Sequence, residues 1–202
     1  MKKLVLLLLF GVAGPFAFAQ NSFTALTVNP RLGIGARDVA PAFSLEYNLG
    51  KRLRKGFEVE TGLGLQTRGV RFRYRKMSPE HSAGTLAVLP TRVRFRLNAN
   101  REGKHQVWLN LGYIYGRAMF ANGWALFQPE NESRTNASAE RQNFHFGEMG
   151  FEIDAPLGTH HRIGFGINYT RSLTPNRENR YFNSFLHLPG FRIRIARHRW
   201  GG

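Results

Sequence analysis

The stretch that decides the fold reads LPTRVRFRL and runs from Leu89 to Leu97. Its odd-numbered positions are apolar apart from a threonine, whereas Arg92, Arg94 and Arg96 share the even-numbered positions. Because successive side chains of a β-strand point to opposite faces, a strand separates these two sets. A helix would scatter the three arginines around its circumference. The stretch therefore predicts a strand with one charged face and one apolar face.

The N-terminus carries the features of a cleaved signal peptide. Lys2 and Lys3 precede a short apolar run, and Ala17-Phe18-Ala19 forms an Ala-x-Ala cleavage site. A transmembrane anchor is the alternative, but the apolar run is shorter than a membrane-spanning helix needs. We therefore predict a signal peptide over residues 1–19 and a single exported domain over residues 20–202.

The composition is strongly basic and contains no cysteine. The chain has 29 lysine and arginine residues against 13 acidic ones, which gives a formal net charge of +16. Such a charge ordinarily suggests nucleic acid, but export argues against that partner and no nucleic-acid-binding motif occurs. Outer-membrane lipid and lipopolysaccharide are the expected counter-charges. The absence of cysteine excludes disulfides and a lipoprotein attachment site.

Alternation with a period of two recurs along the whole exported domain. The predicted strands centre on residues 26–36, 43–50, 57–66, 86–97, 107–116, 144–153, 162–170 and 191–195. Connections after the third, fifth and seventh strands are long, and those after the second, fourth and sixth are short, which is typical of outer-membrane barrels. The fold class predicted is all-β: a monomeric, eight-stranded, antiparallel up-and-down transmembrane β-barrel in the cell outer membrane.

Three local features depart from simple alternation. The apolar phase flips after Gly69, so we predict a bulge there and a continuation of the third strand over Val70–Arg75. The polar run Lys76–Gly84 predicts a long loop. The pair Asn122-Gly123, flanked by apolar residues, predicts a two-residue hairpin above the barrel rim.

The apolar faces are expected to contact lipid. They carry almost no charge over the nine to eleven residues or so that a tilted strand needs to cross a bilayer. Tyr47, Tyr113, Tyr115 and Tyr169 lie near predicted strand ends on these faces, as interfacial aromatic residues do. The alternative is a soluble periplasmic barrel that binds an apolar ligand inside, with every face inverted.

The polar faces then line the lumen, where they place arginine and glutamate together. An eight-stranded barrel is just wide enough for side chains to fill, and buried charges must be paired. We therefore predict a structural ion-pair network and a closed, polar lumen; a proton or anion pathway along the arginines is the alternative. The predicted network comprises Arg31, Glu46, Glu58, Glu60, Arg92, Arg94, Arg96, Glu148, Glu152, Arg192 and Arg194.

A family resemblance supports this interpretation. The segment KGFEVETGL at residues 55–63, followed by Arg68-Gly69-Val70, resembles the third-strand pattern of the PorT-like outer-membrane β-barrel family of Bacteroidetes. The segment Leu86–Pro90, leading into Arg92-Val93-Arg94, is similar to a Pro-containing strand of that family. The resemblance implies an eight-stranded outer-membrane barrel without a common enzymatic activity. One lineage of the family is associated with protein secretion across the outer membrane.

Catalytic residues are not expected. His81-Ser82 beside Glu80, and His145 near Glu148, are the nearest approaches to a nucleophile and base or an acid–base pair. The first set falls in a predicted loop that would not fix its geometry. No cofactor or metal-ligand spacing is evident. A lipid-modifying barrel enzyme that uses His145 or His81 is the alternative to a non-enzyme.

The most distinctive surface feature is a basic periplasmic turn formed by Lys51, Arg52, Arg54 and Lys55. Contact with lipid headgroups is the simpler interpretation. The alternative is docking to an anionic periplasmic partner or to the secretion machinery. The sequence thus predicts a structural or interaction role linked to secretion or envelope integrity.

Overall fold

The fold is an antiparallel β-barrel, seen in a computed structural model. The structure describes residues 21–34, 38–54, 56–68, 71–73, 79–98, 105–125, 143–173 and 187–198. The predicted signal peptide, residues 1–19, lies outside these ranges. Among the described residues, no helix is long and apolar enough to cross a membrane.

Within these ranges, nine strand segments build one closed sheet. They are β1 Ser22–Ile34, β2 Asp38–Arg54, β3 Phe57–Arg68, β4 Arg71–Arg73, β5 Pro79–Arg96, β6 Gln106–Ala125, β7 Asn143–Leu157, β8 His161–Ser172 and β9 His187–His198. The eight long strands pair antiparallel with their neighbours, and β1 pairs with β9 to close the barrel. The prediction of an eight-stranded antiparallel barrel is confirmed.

The short segment β4 continues the line of β3. Its residues Arg71 and Phe72 pair with Glu80 and Pro79 of β5, and Phe72 also pairs with Val39 of β2. This agrees with the expectation that the third strand extends past its phase flip. The bulge predicted at Gly69 lies outside the described residues.

Two local predictions around the longest hairpin are wrong. β5 begins at Pro79, so the loop expected over Lys76–Gly84 gives way to strand from that residue onward. Asn122 and Gly123 form no turn, because they lie inside β6 and pair with Ala83 and Ser82. The two arms pair from Glu80 to Arg96 with one register shift, and this extended pairing outweighs the local turn preference of Asn-Gly.

Strand lengths also differ from the alternation pattern. The register between β5 and β6 shifts at Thr85/Leu86, which marks a local irregularity in the ladder. Tyr47, expected near a strand end, lies at the centre of β2 because β2 extends further in both directions. Gly56 adopts a positive φ of 86° where β2 turns into β3, a conformation that glycine accepts at no steric cost.

The outward faces are apolar on every long strand. Leu63 is 66% exposed, Phe191 is 65% exposed and Ile167 is 59% exposed. The residues between them along each strand point inward and are mostly buried. The alternative in which the apolar faces enclose a ligand is therefore wrong for this chain.

The interior has two layers along the barrel axis. We call the end that holds Ser22, Gly56, Gly158 and His198 the turn end, and the opposite end the loop end. A charged layer occupies the middle and the turn side. An apolar cluster fills the loop side: Ala40, Ala42, Leu86, Val88, Ile114, Ala118, Phe144, Phe146 and Leu188. Phe144 and Phe146 share the inward parity of Glu148 and stack on each other.

A charge on the outward face tests the orientation of the wall. Leu63→Arg, near the middle of β3, should lower the free energy of unfolding by about 2–4 kcal/mol, as arginine does at a bilayer midplane. Leu53→Arg, at the turn end of β2, is the matched control and should cost about 1 kcal/mol or less. Guanidinium unfolding of barrels folded in lipid vesicles measures both. Equal effects at the two positions would contradict a lipid-facing wall.

Candidate functional site

The charged layer arises from the register of neighbouring strands. In the pairing of β3 with β5, Glu58 lies opposite Arg94 and Glu60 lies opposite Arg92. The two glutamates are two positions apart on β3 and the two arginines are two positions apart on β5, so each pair shares one face of its strand. All four side chains are buried, so this face points inward. Opposite charges placed directly across a strand pair attract each other. The local sequence of two strands thus begins the ion-pair network.

Glu148 on β7 is the centre of the network. Its carboxylate accepts a hydrogen bond from Arg31 Nη2 at 2.8 Å, and it is also bound by Arg92 and Arg192. Arg92 additionally forms an ion pair with Glu46, with Nη1 2.7 Å from Oε2. Three guanidinium groups from β1, β5 and β9 therefore converge on one buried carboxylate.

Arg94 is the second centre, nearer the turn end. Its guanidinium donates to Glu58 at 2.7 Å, to Glu152 at 2.8 Å and to Asp154 at 3.1 Å. Its Nε donates to the amide oxygen of Asn110 at 3.0 Å. Trp108 packs against the same guanidinium, whose carbon lies 4.6 Å from the ring centroid, a favourable cation–π distance.

Arg194 on β9 completes the layer at the closure of the barrel. Its Nη2 donates to Glu60 at 3.1 Å. Its guanidinium carbon lies 4.9 Å from the ring centroid of Phe23. The Phe23 ring occupies the space that a side chain at Gly50 would need. Aromatic packing and ion pairing therefore close the turn side of the lumen together.

The buried charges of the described residues balance. The six buried arginines are Arg31, Arg92, Arg94, Arg162, Arg192 and Arg194, and the six buried acids are Glu46, Glu58, Glu60, Glu148, Glu152 and Asp154. Buried ions need such compensation because desolvation costs several kcal/mol per ion. The fully buried charges therefore cancel, and the partly buried Arg52 at the turn end adds one further cation, which is paired with Glu58.

The buried charges of the structure differ from the predicted ion-pair network at three positions. Arg96 lies only half-buried at the turn end, and no acidic side chain among the described residues is within ion-pair distance of it. Asp154 and Arg162 lie inside but were absent from the set. Both could have been found from sequence, since Asp154 shares the parity of Glu152 on β7, and Arg162 lies on the glycine-rich face of β8.

The basic turn is divided between two environments. Arg52 points inward, where its Nε and Nη2 donate to Glu58 at 3.1 and 2.9 Å. Lys51 lies on the outward face and is half-buried. The side chain of Arg54 and all of Lys55 lie outside the described residues. This turn therefore does not present four free cations, because the Arg52 side chain points into the lumen.

The proposed acid–base pair is not assembled. His145 lies on the outward face and hydrogen-bonds the Tyr113 hydroxyl, whereas Glu148 is buried in the lumen. An odd separation of three residues along a strand places them on opposite faces. His81 and Ser82 lie within β5, not in a loop, and their side chains lie outside the described part of the structure.

Two solved outer-membrane barrels resemble this fold. The N-terminal β-barrel domain of Pseudomonas aeruginosa OprF aligns with a TM-score of 0.51 at 9% identity, covering 89% of this chain and 98% of that one. A major outer membrane protein from Thermus thermophilus aligns with a TM-score of 0.52 at 10% identity, covering 88% of this chain and 99% of that one. No family model matches the sequence, and no curated protein matches it. The similarity establishes the barrel fold.

Removal of the central carboxylate should destabilise the barrel strongly. Glu148→Gln leaves three buried guanidinium groups short of one negative charge, so we expect a loss of about 3–5 kcal/mol in the free energy of unfolding. Glu58→Gln is the matched control and should cost less, because Arg94 keeps Glu152 and Asp154 as partners. Denaturant titration of vesicle-folded protein measures both.

A second substitution separates charge imbalance from lost packing. Adding Arg192→Gln to Glu148→Gln restores neutrality, and part of the lost stability should return. If the double variant is less stable than Glu148→Gln by the full cost of Arg192→Gln alone, the two residues do not interact and the network interpretation fails.

Proposed function

We propose that this protein is a monomeric outer-membrane β-barrel with a structural and interaction role and without catalytic activity. The observation that carries the proposal is the continuous apolar outer wall around a charge-balanced interior. A bilayer solvates such a wall, and closure of the barrel leaves no free edge strand in it. The fold shared with two outer-membrane barrels supports the same location.

The orientation follows from the connections. The turn end carries the links of two and three residues between β2 and β3 and between β7 and β8, and the nine-residue link between β5 and β6. The loop end carries the two longest links, of 17 residues between β6 and β7 and 14 residues between β8 and β9, together with the short link between β1 and β2. Outer-membrane barrels place short turns in the periplasm and long loops outside the cell. We assign the turn end to the periplasm and the loop end to the exterior.

The packed interior supports a structural role without an open pore. The ion pairs of Glu148 and Arg94 cross the lumen, and the apolar cluster with Phe144 and Phe146 fills its loop side. An ion entering this space would have to displace paired charges and then cross apolar packing. The proposed interaction role therefore falls to the outer wall, the loops and the turn end, where a link to secretion or to envelope integrity would be made.

Fractionation tests the proposed location. Cells expressing the protein should yield it in the outer-membrane fraction, and its band should shift on gels when the sample is boiled, because heat unfolds a detergent-resistant barrel. Recovery in the soluble periplasmic fraction, with no heat-dependent shift, would overturn the proposal.

Conductance tests the closed interior. The purified barrel in planar bilayers should show no unitary current steps, because paired side chains occupy its cross-section. A porin inserted under the same conditions provides the positive control. Reproducible current steps from several independent preparations of the folded protein would show an open path through the lumen and contradict a structural role with a closed interior.

A further inference from the structure

A groove lies on the outside of the barrel wall. Its volume is about 790 Å³, within the range of sites that hold small molecules. The groove extends from β6 over β7, β8 and β9 to β1, and its lining is almost wholly apolar. The side chains that define it include Met149, Phe151, Ile167, Tyr169, Pro189 and Phe191.

The floor of the groove is the seam where the barrel closes. In the ladder between β1 and β9, Val28 pairs with Ile193 and Arg31 pairs with Gly190, but the residues between them are not paired. Pro30 and Pro189 line the groove beside this interruption, and proline has no backbone N–H to donate. A side chain at Gly190 would collide with Pro30 and Arg31, so glycine at this position lets the two closing strands pack closely. The groove therefore lies over a closely packed seam whose backbone ladder is interrupted.

An exposed cation, Arg171, stands at the loop-end edge of the groove. It follows Tyr169 by two positions on the same outward face of β8, a separation of about 7 Å along a strand. Among the described residues it forms no ion pair. In register it lies opposite His187, which hydrogen-bonds the Tyr169 hydroxyl.

The depth of Arg171 matches the level of lipid phosphates. Arg171 is the eleventh residue of β8 counted from the turn end, and a tilted strand crosses the hydrocarbon in about nine to eleven residues. With the loop end outside the cell, Arg171 reaches the headgroup region of the outer leaflet. Tyr169 lies two residues further from the loop end, at the level where interfacial aromatic residues occur.

We propose that this groove binds one molecule of lipid A, with acyl chains along the apolar lining and a phosphate at Arg171. The inference rests on the proposed outer-membrane location. A molecule that carries both apolar chains and a phosphate complements an apolar groove whose outer edge holds a cation that has no ion-pair partner among the described residues. The loop end faces the outer leaflet, where lipid A is the phosphorylated, acylated lipid.

Native mass spectrometry from detergent micelles with added lipid A tests the site. The folded protein should retain one lipid A molecule. Arg171→Glu should lower the apparent affinity at least about tenfold, the effect of losing one contact to a charged group. Ile167→Trp should also lower the affinity, because the larger side chain fills the groove. Arg171→Lys keeps the charge and should retain most of the binding.

Matched variants and lipids complete the experiment. Leu63→Trp adds the same bulk on β3, and Arg117→Glu reverses the charge of an outward residue on β6; both should bind lipid A as the original chain does. Lipid A stripped of phosphate should bind much more weakly. Equal binding by all variants, equal binding of the stripped lipid, or equal binding of phosphatidylglycerol would overturn the assignment.

The heat-dependent gel shift separates the two proposals. Every variant is scored only after the shift shows that its barrel is folded. A barrel that folds and inserts into vesicles but does not discriminate among these lipids overturns the lipid A site alone. Failure of the original chain to insert into vesicles would overturn the outer-membrane proposal itself.

Discussion

Neutralisation of buried arginine is the constraint on which the rest of the barrel depends. Six arginines and six acids are buried within the described residues, in an interior that side chains fill. An unpaired member would cost several kcal/mol, so the strands must keep a register that holds each guanidinium near a carboxylate. A shift of one residue would turn a strand's charged face toward lipid. The lumen charges and the apolar wall therefore specify the same register.

The network also joins the two strands that close the barrel. The ladder between β1 and β9 is interrupted near Pro30 and Pro189. Arg31 of β1 and Arg192 of β9 both bind Glu148 from the inside. Side-chain bonds thus hold the two closing strands to a common centre where backbone bonds are missing. The groove lies on the outside of the same seam.

The inward and outward charges of the barrel find their partners in different ways. Inside, charges are satisfied by one another, and the aromatic rings of Trp108 and Phe23 cover two guanidinium groups. Outside, Arg171 is a cation whose partner is not supplied by the described residues. Because Arg171 lies at the loop end beside an apolar groove, a lipid phosphate is the counter-charge that we propose for it.

The sequence alone determined the strand count, the two faces and most of the lumen, because a period of two is a local property that Arg92, Arg94 and their neighbours display directly. It could not determine that Asn122-Gly123 is strand, since the pairing of β6 with β5 overrides a local turn preference. It could not place Arg52 inside, because that depends on the position of Glu58 after the chain turns. Only the tertiary structure brought Arg31 to Glu148, which is 117 residues away, since barrel closure decides which side chains meet across the lumen.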